Sequence, residues 1–229
     1  MSEVPIILMP GGPRPVLLIR RAFQEAGLPC PAIDERAAPT ALLYPQSFVD
    51  AVNAMSGART HDYCFMGSLY RSDTFEHRRW ILGFAERRFT DRSYLLISDG
   101  EGEHTRLGPF DHTGDTQGVF VPRHLPPEAR DHFNDAYFRV LRSSQFTLCP
   151  AGDLPWSMRF FEAIMCRSIP IVSDRQHVGR NDLERSIGYH VYLPDDQHRY
   201  DEALVEENYR MFLRHQTLID PESDGLHQP

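Results

Sequence analysis

Residues 146–174 read FTLCPAGDLPWSMRFFEAIMCRSIPIVSD, and the fold turns on how this stretch is parsed. An apolar run of strand length, 146–149, is broken by Pro150 and Gly152. Asp153 suits a helix cap, and Pro155 suits a first helical turn. From 155 to 166 the apolar residues recur at helical spacing. At ~100° per residue, Phe160, Phe161, Ile164 and Met165 fall on one arc and should pack on a sheet. Arg159, Glu162 and Cys166 share another arc. A second apolar run, 169–173, ends the stretch. Strand, turn, helix and strand in succession is the unit of a parallel sheet.

Outward from this stretch the same alternation continues. Further strands are expected at 5–9, 63–67, 94–98, 118–121 and 190–193. Further helices are expected at 14–26, 48–55, 75–88, 127–143, 181–187 and 201–218. The alternation predicts an α/β fold, a Rossmann-like parallel sheet covered on both faces, with ligands beyond the carboxyl ends of the strands. Residues 29–45, rich in Ala and Pro, are weakly patterned, and 99–117, rich in Gly, Asp, His and Thr, read as a loop. Only one strand candidate precedes residue 58. The expected organisation is a short βα segment over 1–57, a Rossmann-like domain over 58–219, and a frayed tail at 220–229.

A chain of 229 residues suits one large domain or a domain with a short appendage. The net charge of −8 repels phosphate backbones and argues against a nucleic-acid partner. No apolar run reaches the ~18 residues of a membrane span. The first ten residues lack the basic region of a signal peptide. Cys30, Cys64, Cys149 and Cys166 form no CxxC pair and read as buried free thiols in a reducing compartment. The expected location is therefore cytoplasmic.

Lysine is absent: all 24 basic residues are arginine. This excludes a Walker-type phosphate loop, Schiff-base chemistry and a protein kinase of the usual kind. Any phosphate held here is held by arginine forks, backbone amides and helix ends.

Three stretches bring such groups to the carboxyl edge of the sheet. In the first, the turn residues Gly152, Asp153 and Ser157, the helix N-terminus and Arg159 converge where a phosphate would sit. Glu162, one turn deeper, can accept hydrogen bonds from a ribose diol. The same spacing fits a plain i,i+3 ion pair worth ~0.3 kcal/mol equally well. In the second, YCFMGSLYRSDTFEHRRW (63–80), a strand runs into Gly67 and Ser68, and Arg71 adds charge to the turn. Ser72, Asp73 or Thr74 caps the next helix with Glu76 as capping-box partner. Asp73 is either that cap or a carboxylate at the cleft, and His77 reads as a surface residue. In the third, GVFVPRHLPP (118–127), Arg123 follows a strand and is either a phosphate ligand or a solvated arginine. Asp195 and Asp196 read as a solvated turn rather than a metal pair, and His104 and His112 lack ligand partners.

Residues 146–174 also resemble the signature of the exostosin-type glycosyltransferases. There an F-C-L-C-P-x-G strand is followed by R-x-x-E-A-I/M, then by a small residue and I/V-P-V-I. This chain keeps Phe146, Leu148, Cys149, Pro150, Gly152, Arg159, Glu162, Ala163, Ile164, Pro170 and Val172. Its YCFMGS and RRWIL segments resemble the family's upstream F-x-G-x and R-x-x-L block. The AGDLPWSMRF and CFMGS versions are most similar to small exostosin-like transferases of large algal viruses and some bacteria, among which a xylosyltransferase is known. Where the family usually has a small residue before I-P, this chain has Arg167 and Ser168.

The resemblance implies a GT-B fold, here with a truncated N-terminal half. It implies transfer with inversion from a UDP-sugar, xylose by the subgroup, to a hydroxyl of a glycan or glycolipid. It implies no metal and no other cofactor. Arg159 would contact the donor diphosphate and Glu162 its ribose. Inverting transfer needs a base for the acceptor proton and cations for the leaving diphosphate. Arg159, with Arg71 or Arg123, fits the second need, one such contact being worth ~3 kcal/mol. Asp73 is the candidate base, with Asp34 in reserve; Arg210 on the last helix either reaches the cleft or is a solvated arginine. The short first segment also admits a non-catalytic nucleotide-sugar binding module that needs a partner chain. A metal-dependent sugar-phosphate hydrolase using Asp195 and Asp196 ranks below both, and the sequence leaves room for a homo-oligomer.

Overall fold

The computed structural model describes residues 6–7, 42–69, 75–98, 104–105, 135–152, 156–179 and 182–218. The helix expected at 14–26, the strand expected at 118–121 and the start of the 127–143 helix lie outside these residues. In chain order the first elements are β1 (Ile6–Ile7), β2 (Leu42–Pro45), α1 (Gln46–Asn53), β3 (His61–Ser68), α2 (Phe75–Arg78), α3 (Trp80–Arg88), β4 (Tyr94–Ser98) and β5 (His104–Thr105). Then follow α4 (Asp135–Ser143), β6 (Ser144–Leu148), α5 (Met158–Met165), β7 (Ile169–Ile171), a 3-10 turn at Arg175–His177, α6 (Asp182–Ser186), α7 (Glu202–Gln216) and β8 (Thr217–Leu218).

The main sheet has the order β5-β4-β3-β6-β7. Strands β4, β3, β6 and β7 are parallel, with Cys64 opposite both Tyr94 and Thr147, and Phe146 opposite Ile169. The short β5 pairs antiparallel at one edge. The chain leaves β3 toward β4 on one side and returns as β6 on the other. The carboxyl ends of β3 and β6 therefore flank the topological switch point, where open α/β sheets bind ligands. This is the expected α/β, Rossmann-like architecture.

Alternation along the strands divides the core in two. Cys64, Met66, Tyr94 and Leu96 face the helical layer of α1, α5 and α7. Phe65, Leu95, Ile97, Phe146 and Leu148 face the other side, with Ile81 and Phe84 of α3. The arc of α5 carrying Phe160, Phe161, Ile164 and Met165 is fully buried, as its spacing required. Each such side chain contributes ~1.5–3 kcal/mol on leaving water.

A second sheet, β1-β2-β8, joins distant parts of the chain. Tyr44 and Pro45 of β2 pair parallel with Thr217 and Leu218 of β8. Neither strand was expected: 42–45 fell in the weakly patterned stretch, and 217–218 in the last helix. Both owe their state to a tertiary pairing, reinforced by complete burial of Tyr44. The short β5 likewise lies inside the expected loop 99–117. Residues 190–193 give one bridge, Tyr192 to Ile171, in place of a strand. Leu193 N–H turns instead to Asp196 Oδ2 at 2.8 Å and ends the run. The 75–88 helix divides at Arg79, which keeps helical dihedrals of −54° and −34°.

Helix α5 starts later than Asp153 and Pro155 suggested, with Ser157 at its N-cap. It ends in a Schellman turn: Arg167 N–H reaches Ile164 O at 2.8 Å, and Ser168 N–H reaches Ala163 O at 2.9 Å. This turn puts Arg167 at φ 57°, a left-handed conformation that suits glycine. The guanidinium offsets the strain. It lies 3.8 Å above the Tyr209 ring and donates to Asn53 Oδ1 at 2.7 Å. Beside it, Arg59 donates to the carbonyls of Arg142, Ser144 and Cys166 at 2.6–3.0 Å, stapling the ends of α4 and α5 together.

Replacing Arg167 separates strain from contact. Arg167→Ala keeps the left-handed cost and loses the guanidinium, and should destabilise by about 1–3 kcal/mol. Arg167→Gly relieves the strain and should fall about 1 kcal/mol closer to wild type. Urea unfolding of both variants checks the order; Gly at or below Ala would contradict it.

Candidate active site

The switch point is built around Arg159, the second residue of α5. Its side chain crosses from β6 to β3. There Nη2 donates to the Met66 carbonyl, and the guanidinium lies 5.0 Å from the centroid of the Phe65 ring. Gly67 makes room for it, since a Cβ at 67 would stand 2.9 Å from Arg159 Nη2. Arg159 Nε is buried and finds no hydrogen-bond partner among the described residues. Ser157 Oγ, at the N-cap of the same helix, is likewise buried and unpartnered, and it makes no capping bond. The first turn of α5 contains no acidic residue. A cation sits there against the positive end of the helix dipole, an arrangement that costs stability unless an anion arrives.

The turn after β6 closes on itself, with Gly152 N–H reaching Trp156 O at 3.0 Å. Arg78, at the end of α2, donates from Nε to the Ala151 carbonyl at 3.3 Å and brings a second guanidinium to Gly152. Beside it, His77 meets His177 edge to face at 6.0 Å. Ser173 Oγ lies 3.1 Å from His177 Nδ1. Burial holds His177 below the ordinary histidine value; Asp174 pulls it up and His77 pushes it down. The segments after β3, β6 and β7 thus meet at one edge.

Glu162 lies one turn further along α5. It makes no ion pair with Arg159: its Oε2 accepts from Tyr137 Oη at 2.6 Å, while Arg159 goes to Met66. Burial raises the Glu162 carboxyl above the ordinary carboxylate value, and the Tyr137 hydrogen bond and Arg159 pull it back. The fully buried Tyr44 of β2 is the other phenol in this field, its own ionisation pushed well up by burial and then by Glu162.

Of the expected site residues, the structure brings Gly67, Gly152, Ser157 and Arg159 to the switch point, with Glu162 a turn behind. Ser68 ends β3 opposite Ser98. Asp34, Arg71, Asp73, Arg123, Asp153 and His112 lie outside the described residues. Arg210 is exposed, its Nε 3.4 Å from Glu206 O one turn back on α7. Asp196 closes its own turn, and Asp195 stands 3.7 Å from Arg87 at the surface. Arg78, His177, Tyr137 and Tyr44 were not singled out by the sequence. No spacing rule links positions 137 and 162; the packing of α4 on α5 makes that pair. A cavity of about 440 Å³ lies elsewhere, lined by Arg175, Arg185 and His190 but by neither Arg159 nor Glu162.

The Exostosin GT47 domain model matches residues 67–207, from the end of β3 into α7. The chain belongs to the exostosin glycosyltransferase family. The protein is therefore a glycosyltransferase, and the matched span contains Gly67, Arg78, Gly152, Arg159 and Glu162. No curated protein and no solved structure matches this exostosin chain. Among the described residues, no helix is long and apolar enough to cross a membrane.

Two substitutions test this geometry. Glu162 ionises above its ordinary value, so stability is lost as pH rises from the ordinary value, and the loss is complete above the shifted one. Glu162→Gln should raise the melting temperature at pH 7–8, and the gain should shrink as pH falls toward 4.5, the ordinary glutamate value. Melting curves across pH read both. Gly67→Ala meets mainly the flexible end of Arg159. It should change unfolding free energy by no more than about 1 kcal/mol, yet lower transfer activity by displacing the guanidinium.

Proposed function

We propose that this exostosin enzyme transfers a sugar, xylose by the subgroup it resembles, from a UDP-sugar to a hydroxyl of a glycan or glycolipid, with inversion and without a metal. The observation that carries this reading is the unpartnered Arg159 Nε at the switch point. A half-buried arginine with a spare Nε donor, an unpartnered Ser157 Oγ and a helix N-terminus form an anion site. The donor diphosphate fills it, with Arg78 on its flank and Arg71 and Arg123 as further candidates. Glu162 accepts hydrogen bonds from the donor ribose.

In the reaction, the acceptor oxygen attacks the anomeric carbon from the face opposite the diphosphate. The bond from that carbon to the diphosphate oxygen breaks, and its electron pair leaves with UDP. Asp73 takes the acceptor proton. Arg159 meets the charge that develops on the leaving oxygen, where a preorganised donor stabilises most.

Residues 1–57 supply the acceptor side, and 58–219 hold the donor. Among the described residues, the buried free thiols Cys64, Cys149 and Cys166 support a reducing, cytoplasmic setting.

Arg159→Ala should lower kcat/KM by about two orders of magnitude while far-UV circular dichroism stays that of wild type. Transfer from UDP-xylose and UDP-glucose to small sugar acceptors, followed by UDP release, measures it. Full activity of a folded Arg159→Ala protein would remove the mechanism.

A further inference from the structure

Glu162 is held by an element other than its own. Tyr137 lies on α4, and the neighbouring Phe138 ring, 5.1 Å away edge to face, packs against Phe48 of α1 at 5.4 Å. The phenol is thereby fixed from behind, and its hydroxyl donates to Glu162 Oε2 at 2.6 Å. A carboxylate has about four lone-pair sites, so this bond leaves capacity for the hydroxyls of a ligand. It also selects one rotamer of a flexible side chain, and a polar group already oriented loses less freedom on binding.

We propose that Tyr137 is a positioning residue for donor recognition. It holds the Glu162 carboxylate so that the enzyme discriminates ribonucleoside from 2′-deoxyribonucleoside diphosphates. The inference rests on the donor-site reading above.

The surroundings of Glu162 make the phenol's role specific. Arg159 on α5 and Cys166 at its C-cap flank it, Tyr44 faces it from β2, and Cys149 from the turn after β6. Burial raises the ionisation of Tyr44, Tyr137, Cys149 and Cys166, so all four are neutral near pH 7. Among the described residues, only Arg159 and the Tyr137 hydroxyl favour the ionised carboxylate. Removing the hydroxyl leaves burial less opposed, and the carboxylate then takes up a proton at higher pH than in wild type.

Calorimetric titration of the full chain with UDP and with 2′-deoxy-UDP, at pH 6 and pH 8, tests this. Wild type should bind UDP about tenfold more tightly than the deoxy compound, the worth of one good charged hydrogen bond. Tyr137→Phe, which keeps the ring, should cut that ratio severalfold by weakening UDP alone, and more at pH 6 than at pH 8. Adding Tyr137→Phe to Glu162→Gln should change nothing further. Equal weakening of both ligands at both pH values, or effects that add in the double variant, would show a merely structural tyrosine. Should Tyr137→Phe fail to fold, Tyr137→Met removes the hydroxyl at similar volume. If wild type binds UDP and Arg159→Ala weakens it while Tyr137→Phe does not, only the Tyr137 assignment falls. If wild type binds no UDP, the donor reading falls and takes this one with it.

Discussion

The bond from Arg159 to the Met66 carbonyl ties the first turn of α5 to the end of β3, across the gap where the sheet reverses its order. Several other features follow from it. Gly67 has to be small, because the guanidinium occupies the space a Cβ would need. Phe65 has to be flat beneath it. The turn after β6 has to release the helix late, at Ser157, so that the side chain starts at the right height. A lysine could reach the carbonyl, but it has no planar fork with which to bond one group and present donors to another. The absence of lysine from the chain fits a site that needs that fork.

Arg159 and Glu162 sit in environments that oppose their charges. The arginine stands at the positive end of a helix, and the carboxylate is buried beside two phenols. A protein built only for stability would neutralise both, since each costs free energy where it stands. Ligand binding offsets these costs, because an anion complements the first and hydroxyl donors the second. The two groups do not quench one another. Each is turned to a separate anchor, one on β3 and one on α4.

The parallel sheet was legible because its strands announce themselves locally. Residues 94–98 and 169–171 are short apolar runs between breakers, and their helices carry clear apolar arcs. The Arg159–Glu162 pair was legible for the same reason: helical spacing places both residues. Their partners were not legible. Met66, Tyr137 and Arg78 come from other elements, and only the packing of those elements brings them near. The 42–45 strand was missed because four residues ending in proline carry almost no periodicity, and their state is decided by residues at the far end of the chain. Position 167 shows the reverse case. The sequence showed only an arginine at this position, and the backbone turn at φ 57° shows what that arginine costs.

Pairing of β2 with β8 has a consequence for synthesis. Residues 42–53 leave the ribosome early, yet the strand that completes their sheet is made about 170 residues later. At translation rates of ~5–20 residues per second, β2 and α1 wait on the order of ten seconds for that partner. The parallel sheet can collapse meanwhile, but one side of its helical layer stays uncovered until α7 and β8 emerge.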